Sequence, residues 1–469
     1  MNEQNTFHCL LLQHFFAEFQ EVSYRGVPVT KYVYYRLLRD FYRHPDWTAE
    51  NFPNWQKEVA RLTESEVYGW ADEPYRCDPH PDGVIIMRGG FGDIASLHLP
   101  KERFLLLSPQ TEADIIQLNR PDLEAHAVES YFQENRSAEA ALYDQIAAVV
   151  RRLPEDPILG GPDLLEWFRQ RIPDIVRVVD AVYLLFEKVK VGAVLTISSI
   201  FWLDSALNLV AKANQIPSFT LQHGLIDDLS LVAHLPLLAA KKLVWGEATL
   251  QWYQKYGYPE SRIAIVGSPR YDVIFNRNWY GKEKLRQKVG AAPHQKIMVY
   301  ATGTARDITA PLILEGLKAI PEVFLIISLH PSEDQTIDAY EKITAGYANF
   351  KIVRGSSEIS LYDSLSGADF FITHCSTAAL EAMLFNLPVI TVEAAEPHFS
   401  YGNAGASLKV SDAVELAQVV KRLVSDEVFK QKALERYREF LVSYCIPDGL
   451  ASKRLFAEIE RLTRSGGTL

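Results

Sequence analysis

The sequence predicts an α/β protein with two doubly wound parallel sheets and an extra N-terminal segment, and three observations carry that reading. From about residue 158 onward, short β-branched runs alternate with apolar-periodic segments of helical length, the rhythm of parallel strands joined by crossover helices. The chain has 469 residues, more than one ordinary core accommodates. Polar residues collect where the strand-like runs end, and open parallel sheets bind ligands beyond the carboxyl ends of their strands. The expected arrangement is two Rossmann-like domains facing a cleft.

Residues 1–157 are the least regular. Tyr24–Arg25–Gly26–Val27–Pro28 reads as a turn before an aromatic-rich amphipathic segment, Lys31 to Tyr42, whose rings are assigned to a core. Val84–Ile85–Ile86–Met87 reads as a buried strand entering Gly89–Gly90–Phe91–Gly92. That cluster lacks the GxGxxG spacing and a clear following helix, so it is read as a turn. The segment is expected to be partly helical and to form part of the first domain.

Residues 158–260 form the first Rossmann-like half: strand Val191 to Ser198, helix Asp204 to Asn214, then strands Ile216 to Leu221 and Lys242 to Trp245. Residues 261–425 repeat the rhythm as a second Rossmann-like domain. Its strands run Arg262 to Gly267, Lys296 to Ala301, Val323 to Leu329, Phe350 to Val353, Phe370 to Thr373 and Pro388 to Val392. Helices Pro311 to Ile320, Thr377 to Phe385 and Ala413 to Val424 lie between and after them, and residues 426–469 are helical.

Composition narrows the function. A chain that is 48% hydrophobic and 23% charged is globular, and its net charge of -11 argues against a nucleic-acid partner. The four cysteines, Cys9, Cys77, Cys375 and Cys445, show neither CxxC nor metal-ligand spacing, which favours a reducing compartment. No basic n-region precedes an apolar core at the start, and no apolar run reaches the roughly 20 residues of a membrane span. A cytoplasmic protein is expected, with any membrane role peripheral, at the inner face.

Five strand ends carry chemistry. Gln222–His223–Gly224 puts an imidazole, able to remove a proton near neutral pH, where backbone can approach a ligand. Asp227 or Asp228 just beyond either orients that ring or acts as the base itself. In Ser268–Pro269–Arg270–Tyr271–Asp272, Arg270 either faces an anion or pairs with Asp272. Thr302–Gly303–Thr304–Ala305–Arg306, ahead of a helix, has the makeup of a phosphate nest. His330–Pro331 holds a histidine at a strand tip, since proline ends the ladder. His374–Cys375–Ser376–Thr377 leads into an apolar helix that Ser376 or Thr377 can cap, with Glu381 one turn along, placed to accept from ribose hydroxyls.

With these residues in view, Gly192 to Ser425 resembles the GT-B glycosyltransferases that build bacterial surface polysaccharides. The resemblance is to the branches with cytidine donors, the sialyl- and Kdo-type transferases and the CDP-glycerol glycerophosphotransferases. It implies that His330–Pro331 and Ser376–Thr377 bind donor phosphate, that His223–Gly224 supplies the base, and that Glu381 meets the ribose. GSPRYD is similar to the segment that opens the second domain there, and the last helices are implied to return to the first domain. Gln222 stands where the teichoic enzymes have tryptophan, and no DXD metal motif is present.

The expected activity is metal-independent transfer of a sugar from a nucleotide-activated donor, CMP or CDP type favoured over UDP, to a hydroxyl of a glycan, lipid-linked or protein acceptor. His223, Asp227 or Asp228 serves as base. Thr302, Gly303, Thr304, Arg306, His330, Ser376, Thr377 and Glu381 hold the donor, and Arg270 is a candidate anion contact. No cofactor is expected. The alternatives are an epimerase of the UDP-N-acetylglucosamine 2-epimerase type and a non-catalytic nucleotide-sugar-binding subunit.

Overall fold

A computed structural model of the chain describes residues 3–42, 74–303, 305–318, 320–330, 333, 337–347, 349–354, 359–395 and 399–469. It divides into two compact units, Met1–Gly267 with Ser452–Leu469, and Ser268–Ala451.

Unit 1 is built on a seven-stranded sheet. Its strands are β1 (Val84–Arg88), β2 (Phe104–Ser108), β3 (Ala125–Ala127), β4 (Val191–Thr196), β5 (Ser218–Leu221), β6 (Lys241–Val244) and β7 (Ile263–Ile265). They lie in the order β7-β6-β5-β4-β1-β2-β3, parallel throughout. The order reverses between β1 and β4. At the amino ends of these two strands the backbones nearly touch, for a Cβ on Gly83 would lie 2.3 Å from the Gly192 nitrogen.

Side chains alternate between two apolar layers, as a sheet buried on both faces requires. Ile86, Leu105 and Val194 join a core with the helices α1 (Glu3–Glu18), α2 (Val29–Tyr42), α3 (Pro162–Lys188) and α4 (Trp202–Ala213). Ile85, Met87 and Leu195 face the opposite layer.

Three readings of the sequence change here. Residues 1–157 are not an added segment, because they supply β1, β2 and β3. Their strands are short, and so are the helices between them, Gly92–His98 and Gln110–Asn119, which hid the alternation. Arg262 to Gly267 does not open the second domain: Ile263–Ile265 pairs with Lys242–Val244 as the edge of the first sheet, and the boundary falls at Ser268 rather than 261. The Gly89–Gly92 cluster is a short 3-10 turn running directly into a helix, Gly92–His98, whose glycine start masked it.

Unit 2 holds a six-stranded sheet of β8 (Lys296–Ala301), β9 (Val323–Ser328), β10 (Phe350–Val353), β11 (Phe370–Thr373), β12 (Val389–Val392) and β13 (Leu408–Val410). The order β10-β9-β8-β11-β12-β13 is parallel and reverses between β8 and β11. Helices α5 (Arg306–Leu317) and α6 (Ala378–Leu384) follow those two strands.

The terminal helices divide. Glu427–Tyr444 stays in unit 2, where the Tyr437 hydroxyl donates to Asn386 Oδ1 at 2.9 Å. Of the two, only α7 (Ala451–Ser465) returns: Leu455, Phe456, Ile459 and Leu462 fill the second layer of unit 1. Among the described residues no helix is long and apolar enough to cross a membrane.

Candidate active site

The switch point of unit 2 is hollow. A cavity of about 510 Å3 opens at the carboxyl ends of β8 and β11, lined among others by Thr302, Gly303, His330, Glu333, His374, Cys375, Ser376 and Thr377. This is where a doubly wound sheet leaves room, since the helices after the two central strands pass to opposite faces.

Thr302 organises one wall. It is buried, and its hydroxyl donates to Glu333 Oε2 at 2.5 Å while accepting the His330 amide at 2.8 Å. One side chain thereby fixes the backbone of the exposed histidine and a carboxylate. Glu333 also accepts from the Tyr340 hydroxyl at 3.3 Å.

His374 forms the opposite wall. Its Nδ1 lies 2.7 Å from the Val392 carbonyl; a carbonyl only accepts, so this nitrogen carries the proton and Nε2 is unprotonated in the neutral ring. The Ser376 hydroxyl accepts the Ala378 amide at 3.2 Å, and the Ser376 carbonyl accepts from the buried Tyr401 hydroxyl at 3.1 Å.

The expected donor residues thus divide. Thr302, Gly303, His330, Ser376 and Thr377 meet at one cavity. Thr304 and Pro331 lie outside the described residues. Arg306 starts α5 after Ala305, a left-handed non-glycine residue (φ 63°), and its guanidinium bonds Asp307 at 3.0 Å and sits over the Tyr340 ring. It is not part of the cavity lining.

Glu381 departs furthest from expectation. Its carboxylate is 1% exposed, pairs with Arg270 Nη2 at 2.9 Å and accepts from the Tyr362 hydroxyl at 3.2 Å. Burial raises its pKa, with Arg270 and Tyr362 opposing. It does not line the cavity, and its carboxylate is held within the protein by Arg270 and Tyr362. Arg270 pairs with Glu381 and not with Asp272, which accepts the Ala451 amide at 2.9 Å. Its guanidinium remains largely exposed.

Glu333, His374 and Cys375 were missed as lining residues. His374 and Cys375 stand between the strand and Ser376, so a rule assigning the whole strand-end tetrapeptide would have found them.

In unit 1, His223 follows β5 and leans over the end of β4, with Nδ1 2.9 Å from the Ile197 carbonyl. The proton is held on Nδ1, and Nε2 is the nitrogen able to accept one. Burial of its surroundings and then the charge of Lys242 lower its pKa, the Ile197 bond acting the other way. Gln222 braces the turn: its amide donates to the Gly224 carbonyl at 2.8 Å and accepts the Trp245 amide at 2.9 Å.

Neither aspartate serves His223. Asp227 caps the turn Asp228–Ser230 by accepting the Ser230 amide at 3.0 Å. Asp228 accepts from Trp252 Nε1 at 2.9 Å, Lys255 Nζ at 2.9 Å and the Tyr256 hydroxyl at 2.6 Å. Burial resists its ionisation, but these donors outweigh it and lower its pKa. Both carboxylates have structural partners, which leaves His223 as the candidate base of this unit.

Residues 246–461, which include all of unit 2, match the model of the family described as CDP-Glycerol:Poly(glycerophosphate) glycerophosphotransferase. No curated protein matches the chain. Among solved structures it is similar to UDP-GlcNAc 2-epimerase from Neisseria meningitidis bound to UDP-GlcNAc, at 13% identity and TM-score 0.54, over 80% of this chain and 98% of that one. A glycosyltransferase from Rickettsia africae is similar at 13% identity and TM-score 0.52, over 82% and 100%. The fold is therefore GT-B, and the matched family consists of transferases, which bears out the reading of the sequence as a transferase of surface-polymer synthesis.

Proposed function

We propose, taking the family match of residues 246–461 as the premise, that the chain transfers a group from a cytidine-diphosphate donor to a hydroxyl of a surface-polymer acceptor. The group is a glycerol phosphate or a sugar. The observation that carries the reading is the cavity at the switch point of unit 2, where Thr302, His330, Ser376 and Thr377 converge inside the matched region.

The chemistry follows from charge. In glycerophosphate transfer, the acceptor oxygen forms a bond to the donor's outer phosphorus, and the bond from that phosphorus to the bridging oxygen breaks. CMP leaves with the electron pair, and the acceptor proton passes to His223 Nε2. Negative charge grows on the leaving phosphate, so donors fixed beforehand around it lower the barrier. His330 and the hydroxyls of Ser376 and Thr377 are those donors. No cofactor or metal enters the scheme. Polymer acceptors are anchored at membranes, so peripheral association at the inner face belongs to the same proposal.

The test is the melting-temperature shift with CMP, CDP, UDP, GDP and ADP, on wild type and on His330→Ala. A nucleotide at a hundred times its dissociation constant adds about 2.7 kcal/mol. Selective stabilisation by CMP or CDP, weakened in the variant, supports the reading. Preference for UDP, with a 2-epimerised product formed in the absence of acceptor, replaces it with the epimerase. No shift with any nucleotide overturns both.

A further inference from the structure

Unit 1 contains a polar row that crosses three neighbouring strands of its sheet. Thr196 on β4 is in register with Thr220 on β5, and Thr220 with Lys242 on β6. All three are buried, Thr196 as the last residue of β4 and Lys242 as the second of the four in β6. The threonines satisfy each other: their hydroxyls are 2.8 Å apart, Asn208 of α4 donates to both, and Thr196 donates onward to the Phe219 carbonyl at 3.1 Å.

Lys242 has no such arrangement. It is 3% exposed, yet its ammonium makes no hydrogen bond or ion pair among the described residues. Its neighbour Lys241, on the other face of the strand, shows the usual solution, an ion pair with Glu458 of α7 at 2.7 Å. A lysine buried along its stem whose ammonium finds no acceptor within the described protein takes one from solvent or from a ligand.

Two more basic side chains lie within reach of its charge. One is His223, above the end of β5. The other is His234, which ends the short helix Leu231–His234 and packs edge-on against Trp252. Burial lowers the Lys242 pKa to about 7, so an arriving anion would recharge it. Among the described residues no carboxylate bonds to the three: Asp227 and Asp228 are turned to their own donors.

We propose that Lys242, with His223 and His234, forms an anion subsite at the carboxyl end of the first sheet that takes the terminal phosphate of the acceptor. Lys242 anchors the phosphate, and His223 is left beside the neighbouring hydroxyl whose proton it removes. Assigning the anion to the acceptor rests on the transferase reading above; the subsite itself does not.

The test titrates inorganic phosphate and glycerol 3-phosphate against the full chain, with and without CMP, following melting temperature. It uses wild type, Lys242→Met, Lys241→Met and His330→Ala. Wild type, Lys241→Met and His330→Ala should bind glycerol 3-phosphate, and Lys242→Met should bind it about tenfold more weakly or worse, the loss of one charge-assisted contact. The CMP shift should survive in Lys242→Met, which also shows that the variant is folded. Equal glycerol 3-phosphate binding by wild type and Lys242→Met overturns the subsite, as does no binding by wild type at millimolar concentration. Binding of inorganic phosphate alone overturns the acceptor assignment. Absence of a CMP shift in wild type is a separate failure, that of the transferase reading.

Discussion

His223 and Ile197 share a hydrogen bond of 2.9 Å that joins the tips of adjacent strands. The bond fixes the tautomer of the ring, leaving Nε2 as the proton acceptor. His223→Ala should lower kcat by about 100- to 10,000-fold, the range for loss of a general base, while leaving nucleotide binding unchanged. Steady-state rates and CMP melting shifts on one preparation check both halves. Unaltered turnover would remove His223 from the mechanism.

The same ring sets a pH dependence. Its pKa is lowered from the ordinary 6.5 by burial and by Lys242. The active form is neutral, so kcat/KM should be half-maximal at a pH below 6.5, and at pH 6.5 the enzyme should retain more than half of its plateau. Lys242→Met should move this acid limb upward. A limb that moves down, or stays, contradicts the placement of the lysine charge beside the ring.

The alternation of Val323–Leu329, Phe370–Thr373 and their helices was legible because each strand of unit 2 is a continuous apolar run, the signature of a sheet covered on both faces. His330, Ser376 and Thr377 were legible for the same reason, as polar residues at the ends of such runs. The first 157 residues were not, because β1 and β2 are separated from β4 by long helical insertions. At Glu381 the sequence was silent on the partner, because a carboxylate one turn into a helix looks alike whether it faces a ligand or an arginine distant in sequence. The burial that decides between them is tertiary. Lys242 was read as part of a buried strand, and only the register with Thr220 places it in the polar row.

Thr302 offers a test of the donor wall. Thr302→Val keeps the shape but removes the acceptor of the His330 amide and the donor to Glu333. Leaving those groups unpaired costs about 1–3 kcal/mol. CDP should bind about tenfold more weakly, with a lower melting temperature, and Thr302→Ser should restore both. Isothermal titration of the two variants reads the difference. Equal affinity for valine and serine would show that the hydroxyl does not position His330.

Arg270 and Glu381 make the last case, one of stability rather than binding. The carboxylate is buried, and burial already raises its pKa despite the arginine. Arg270→Ala removes the opposing charge, so the folded-state pKa rises further above the unfolded value. A group so shifted favours folding most below its unfolded pKa, and that contribution is lost as pH climbs through the folded one. The variant should therefore lag wild type more in urea unfolding at pH 8 than at pH 5. Glu381→Gln in the same background should remove the pH dependence of the deficit, because an amide has no charge to bury. A deficit that is equal at both pH values would mean that solvent, reaching past the exposed guanidinium, already stabilises the carboxylate.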